Sequence, residues 1–157
     1  MRVRSPLLIP IVLVGGKWSG ARVYLDAVET TVALGDEVHI EGFAQEYYDE
    51  TELVVDAGGV LDVTGSGRVT VDSLSAIPSD WEPWEGAVVE LEDVSATAPT
   101  DDYGLTLTNW SLYLDDCIFD YTAEYNAGRT YASITGAVRW SYDEQKLCPR
   151  FAADLVE

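Results

Sequence analysis

The side chains with the greatest chemical potential in this chain occur twice, in the same order. Tyr47, Tyr48, Asp49 and Glu50 follow the segment Gly35–Gly42, and Trp140, Ser141, Tyr142, Asp143 and Glu144 follow Gly128–Gly136. Counted from Gly42 and Gly136, the Tyr-Asp-Glu triplets fall at the same offset, as do Leu53 and Leu147, so the copies stand 94 positions apart. Rings presented at a loop tip can stack on the faces of bases or sugars. That makes Tyr47, Tyr48, Trp140 and Tyr142 the candidate ligand-binding residues. The bland alternative, which has the larger prior, is that each ring closes the end of a β-barrel over its core.

The acidic pairs Asp101-Asp102, Asp115-Asp116 and Asp49-Glu50 lie in turn-like segments, where carboxylates can ligate Ca²⁺ in an extracellular setting. None has the alternating ligand spacing of a dedicated calcium loop. With 28 Asp and Glu in 157 residues such pairs arise from composition alone, so a search for a general acid/base pair discriminates nothing. Asp101, Asp102, Asp115 and Asp116 are the candidate Ca²⁺ ligands, and no other cofactor is expected.

Other reaction classes lack their residues. His39 is the single histidine. The triplet His39-Ile40-Glu41 has the form of the deaminase His-x-Glu signature, but no Cys-x-x-Cys follows it. Cys117 and Cys148 are too few and too far apart for a zinc site. Neither cysteine has a histidine near it in sequence, and no Ser-His motif supplies an activated nucleophile. The chain is expected to be a non-enzyme.

Charge narrows the partners. Against 28 acidic side chains stand 9 Lys and Arg, a net charge of −19, which repels phosphate backbones. Nucleic acid is therefore disfavoured, and the acidity suits a soluble, secreted or salt-adapted surface. Residues 1–14 place Arg2 and Arg4 before a short apolar run, as a signal peptide does, but they contain two prolines and no small-x-small cleavage site. The run is too short to span a bilayer. A buried strand over Ile9–Val14 is the expectation.

The elements that must position these residues are strands. Hydrophobic residues make up 47%, five Trp and nine Tyr favour β-structure, and 13 Gly and 6 Pro supply turns. Alternation predicts strands at 21–26, 38–47 with a bend at Gly42, 51–55, 60–63 and 68–71. After a connector holding Trp81 and Trp84, expected to pack on a neighbour, strands follow at 86–94, 103–108, 111–115, 130–140 and 145–148. A helical turn is expected near 151–155.

Five strands in this plan describe an OB-fold barrel. The predicted fold is thus all-β, with two tandem OB-fold-like barrel units: residues 1–72, a connector at 73–85, and residues 86–157. Aligning Trp18, Tyr24 and Leu25 with Trp110, Tyr113 and Leu114 makes the first unit a copy of the second. Carried back by the offset, the counterpart of the strand at Ala87 falls before Met1, so the first unit is expected to lack its first strand and the chain to be part of a longer protein. The segments around 60–71 are expected to cover the edge left open.

Several stretches carry a family resemblance: Gly35–Gly42, Tyr47–Leu53, Trp84–Val89, Ile134–Gly136 and the closing Lys146-Leu147-Cys148-Pro149-Arg150 with Asp154. Together they resemble OB-fold-like modules of secreted bacterial proteins, of the kind that accompany extracellular endonuclease/exonuclease/phosphatase-type nucleases. The resemblance implies an accessory module without catalysis, because the His and Asp/Asn clusters of a metal-dependent phosphodiesterase are missing.

In an OB barrel the third and fifth strands meet side by side, which puts Cys117 and Cys148 at the same end of neighbouring strands. A disulfide there closes a loop of some thirty residues and contributes about 3–4 kcal/mol by the chain-entropy model, and it implies an oxidising compartment. Two separate buried thiols are the alternative. The function expected is a non-catalytic structural or interaction module of a secreted or cell-surface protein. Its partners are other domains of a longer parent or a separate protein, with no membrane span. The alternative is a module binding single-stranded nucleic acid or glycan through its aromatic face.

Overall fold

A computed structural model describes residues 15–26, 28–121 and 128–157. The strand expected at Ile9–Val14 lies outside the described residues. In the N-terminal half the strands are β1 (Arg22–Leu25), β2 (Asp36–Glu41), β3 (Phe43–Tyr47), β4 (Glu50–Val55) and β5 (Val60–Ser66). A short β6 (Asp72–Leu74) and a 3-10 turn at Glu82–Trp84 lead to β7 (Val88–Ser95), β8 (Thr106–Leu107), β9 (Tyr113–Leu114), β10 (Thr130–Ser141) and β11 (Glu144–Cys148). A second 3-10 turn at Ala152–Asp154 precedes β12 (Leu155–Val156). Among the described residues no helix is long and apolar enough to cross a membrane.

The sequence repeat is a structural one, carried by a bent strand and the hairpin after it. β3 pairs antiparallel with β4 through Phe43↔Val54 and Tyr47↔Glu50, and β10 pairs with β11 through Ala137↔Cys148 and Ser141↔Glu144, the same register moved by one repeat. Each hairpin turns on a Tyr-Asp pair with positive φ, 51° and 63° at Tyr48 and Asp49, 55° and 62° at Tyr142 and Asp143. Two positive values in a two-residue loop are the type I′ geometry that matches strand twist. The bend has one cause in both copies. A Cβ on Gly42 would stand 2.2 Å from the Val54 carbonyl oxygen, and one on Gly136 would stand 2.7 Å from that of Cys148. Only glycine lets the long strand fold down onto its partner there.

Beyond the bend the correspondence continues. β5 pairs with β2 through His39↔Asp62 and Ile40↔Leu61, and β12 pairs with β10 through Ser133↔Val156 and Ile134↔Leu155. β1 runs parallel to β4, as β9 runs parallel to β11. The register there corrects the sequence alignment: Val23 lies opposite Leu53 whereas Leu114 lies opposite Leu147, so the counterpart of Leu114 is Val23 and not Leu25.

Three further expectations change. First, there is no closed barrel: the described strands form a sheet in the order β1-β4-β3, a ribbon β2-β5, and a sheet in the order β6-β7-β10-β11-β9-β8 with β12 on β10. In the third sheet a single bridge, Ala96↔Thr108, brings the last strand back toward β7. β8 and β9 contribute two residues each, too few to extend that bridge into a ladder. Second, Gly65 sits inside β5 and pairs with Glu37, and 68–71 forms no strand. Third, β6 spans the expected boundary between the first unit and the connector, and it pairs parallel with β7 through Ser73↔Glu90, in the C-terminal sheet.

The core belongs to the C-terminal half. Val89, Leu91, Val94, Leu112, Leu114, Ile134, Val138 and Leu147 are buried together with Trp81, and Trp84 packs against them. Burying both connector tryptophans on this core fulfils the expectation for them. In the first copy the counterparts are less covered: Ile40, Leu53 and Val23 are half-buried, where Ile134, Leu147 and Leu114 are inaccessible. β7 supplies the difference. It covers one edge of β10 over Thr130–Ala137 while β11 and β12 take the other, whereas among the described residues β2 and β3 pair only with β5 and β4.

Aspartate at the second turn position pays the strain of positive φ in both hairpins. Asp49→Gly and Asp143→Gly are each expected to raise stability by about 0.5–1 kcal/mol, read as an increase in the urea midpoint at unchanged slope. Opposite signs at the two sites would contradict the shared turn geometry.

Candidate functional site

Glu50 opens β4 with its side chain inside the protein, 2% exposed. A buried carboxylate is tolerated only when paired and hydrogen-bonded, and Glu50 has two guanidinium partners from different halves of the chain. Arg139 of β10 donates from Nε to Oε1 at 2.9 Å and from its Nη2 to Oε2 at 3.1 Å, a bidentate fork. Arg22 of β1 donates to Oε2 at 2.5 Å and reaches Glu52 at 3.4 Å. Glu52, itself 3% exposed, accepts from Gln45 Nε2 at 2.6 Å. This cluster ties the first hairpin to the bent strand of the second.

The connector joins the same seam. The backbone N–H of Gly86 donates to the Val138 carbonyl at 2.9 Å, laying 84–86 beside β10, and Trp18 N–H donates to the Pro83 carbonyl at 2.6 Å. Glu85 Oε1 accepts from the backbone N–H of Thr51 at 2.7 Å, while Oε2 is buried without a partner. Burial pushes the Glu85 carboxyl up to about 7; the Thr51 hydrogen bond works against this and the neighbouring Glu82, Glu50 and Glu46 add to it. The indole N–H groups of Trp84 and Trp140 and Oε1 of Gln145, the cross-strand neighbour of Trp140, are also buried and unpaired. Among the described residues these side-chain atoms of the seam have no hydrogen-bond partner.

The candidate aromatic residues divide into two kinds. Tyr47 and Tyr48 are 53% and 77% exposed and pack edge-to-face, ring centroids 4.7 Å apart, at the tip of the first hairpin. Tyr142 is 89% exposed at the tip of the second, with the Lys146 ammonium 5.5 Å from its ring centre. Trp140 instead lies half-buried in the seam. The barrel-closing role fails for the three tyrosines, which stand in solvent.

Two of the candidate Ca²⁺ ligands, Asp101 and Asp115, have partners within the chain. Asp101 accepts from the backbone N–H groups of Tyr103 and Leu105, both at 2.9 Å, as the carboxylate of a tight turn, and Asp102 is exposed beside it. Asp115 pairs at 3.0 Å with the buried Lys146. The Asp116 carboxyl is pushed upward by burial and then by Asp115 and Asp120. Among the described residues no three His, Cys, Asp or Glu side chains converge as metal ligands. Cys117 and Cys148 are joined as a disulfide, Cα atoms 5.8 Å apart, linking the segment after β9 to the end of β11. Arg150 and Asp154 form a second clasp: Asp154, 4% exposed, accepts from the Arg150 backbone and from both sides of its guanidinium.

Sequence reasoning passed over the Glu50 cluster because Glu50 and Glu144 are the same letter in the repeat. Arg22 and Arg139 have no arginine at the matching place in the other copy, and that asymmetry was the available signal. No protein-family model, curated protein or solved structure matches the chain.

Two outcomes test the seam. Glu50→Ala strands Arg139 in a half-buried site and is expected to cost about 3 kcal/mol, with a coupling energy to Arg139→Met of about 1 kcal/mol or more in a double-mutant cycle; additive effects would contradict the pairing. Glu85 holds a proton in the folded chain that the unfolded chain, with its ordinary value of 4.5, releases between pH 4.5 and about 7. Its contribution is full below that window and lost as pH rises through it. Glu85→Gln mimics the protonated form, so the melting-temperature gap between variant and parent is expected to widen from pH 4.5 to 7; a gap independent of pH would contradict the assignment.

Proposed function

We propose that the chain is a non-catalytic interaction module of a secreted or cell-surface protein, built from two copies of an OB-like strand plan. Support for the plan comes from the path β7-β10-β11-β9-β8, in which the third and fifth strands of the C-terminal half lie side by side in parallel. The disulfide supports an oxidising location, where such bonds persist. The nuclease-associated modules that the sequence resembles remain the proposed relatives.

The observation that carries the reading is where the cations go. Arg22, Arg129, Arg139, Lys146 and Arg150 are each engaged by a carboxylate of the chain, and the first, third and fourth of these clasp separate strands together. The charged groups with the best geometry hold elements in place, and the surplus is negative and faces outward. Such a surface repels phosphate and attracts a basic partner.

A gel-shift titration with single-stranded DNA at low salt tests this, and no shift is expected. A shift that weakens with added salt would overturn the reading, because it requires a cationic track. The exposed Tyr48 and Tyr142 favour a second reading, stacking on an uncharged glycan. Saturable quenching of tyrosine and tryptophan fluorescence by a soluble oligosaccharide, abolished by Tyr48→Ala with Tyr142→Ala, would establish it in place of the first.

A further inference from the structure

We propose that the β2–β3 edge is a docking site for an extended, basic, amphipathic strand supplied by a partner protein. The second copy shows what such an edge accepts. On β10 the matching edge is filled by β7, antiparallel, with Leu91 opposite Ile134 and Val89 opposite Gly136 on the core side, and Glu92 opposite Ser133 and Glu90 opposite Thr135 on the outer side. One repeat earlier those four positions are Ile40, Gly42, His39 and Glu41. Among the described residues no strand lies along that edge, and Ile40 is half-buried where Ile134 is fully covered. An incoming strand therefore finds backbone groups that no described strand pairs with and an apolar row that it can cover.

Charge selects the occupant. Where β10 offers Ser133 and Thr135 to the acidic residues of β7, β2 offers His39 and Glu41, with Glu37 also exposed on the strand. A strand like β7 would set Glu against Glu41, and like charges directly opposite destabilise a pair. A second copy of this chain would bring Asp36, Glu37, Glu41 and Glu46 against themselves within a molecule of net charge −19. The edge thus fits a strand with apolar residues at alternate positions and Lys or Arg between them. This deepens the interaction-module reading and rests on it.

The probes are two eight-residue peptides, one with the β7 sequence Val88–Ser95 and one carrying E90K and E92K. The lysine peptide is expected to bind saturably, one per chain, about tenfold more tightly than its parent, and to slow amide exchange across 36–47. Glu41→Lys, at an exposed position, is expected to reverse the preference. Equal binding of the two peptides, or binding that leaves exchange at 36–47 unchanged, would overturn the proposal. So would protection, in the free chain, of those amides of 36–47 that do not face β5 or β4, whether in proportion to concentration, as a second copy gives, or independently of it, as another segment of the chain gives. The broader reading fails separately, on the DNA titration.

Discussion

A β-strand presents hydrogen-bonding groups along two edges, and both must find partners. The arrangement of this protein follows from how its two bent strands meet that requirement. β10 meets it over most of its length, with β7 on one side and β11 and β12 on the other. The bend at Gly136 makes this possible by letting one strand serve different neighbours along its length. Burial follows pairing: Ile134, Val138 and Leu147 disappear from solvent because β7 and β9 stand over them. The β2–β3 strand has the same bend and the same hairpin, and on its described side the same neighbours, but its apolar positions stay half-covered. Differences between the halves are differences in what is paired, since the hairpins themselves superpose in register.

Electrostatics then joins the halves. In a chain so rich in carboxylates, a cation is the scarce resource, and most of the described ones sit where two elements must be held together. Glu50 gathers Arg22 and Arg139 across the seam, Asp115 anchors Lys146 between β9 and β11, and Asp154 clasps Arg150 at the final turn. Glu85 shows the opposite case. Burial first, and then the neighbouring Glu82, Glu50 and Glu46, push its carboxyl up to about 7.

Much of this was legible in the sequence. The Tyr-Asp-Glu triplets marked both hairpin turns, Gly42 marked the bend in the first copy, and Trp81 and Trp84 were correctly read as packed rather than wasted in a tether. Local signals carried those features, because turn chemistry and steric exclusion act within a few residues. What the sequence concealed depends on partners far away. Glu50 and Glu144 look alike, yet only Glu50 has arginines converging on it from β1 and β10. Tyr48 and Tyr142 suit a barrel end on paper, but the sheets do not close and the rings stay in solvent. Val23 replaces Leu25 as the match for Leu114 because the parallel register sets Val23 beside Leu53 as it sets Leu114 beside Leu147, a slip that letter similarity hides. Pairing partners over long separations are set by the whole sheet, and a short strand such as β6 has no pattern that announces its neighbour.

The duplicated strand with unequal edges is open to direct observation by cross-strand proton contacts in solution. For β10, Hα and amide contacts are expected from Ile134 to both Leu91 and Leu155, on opposite edges. For β2, Ile40 is expected to show such contacts to Leu61 and to no second strand. Cross-strand contacts from Ile40 to strands on both sides in the isolated chain would contradict the account.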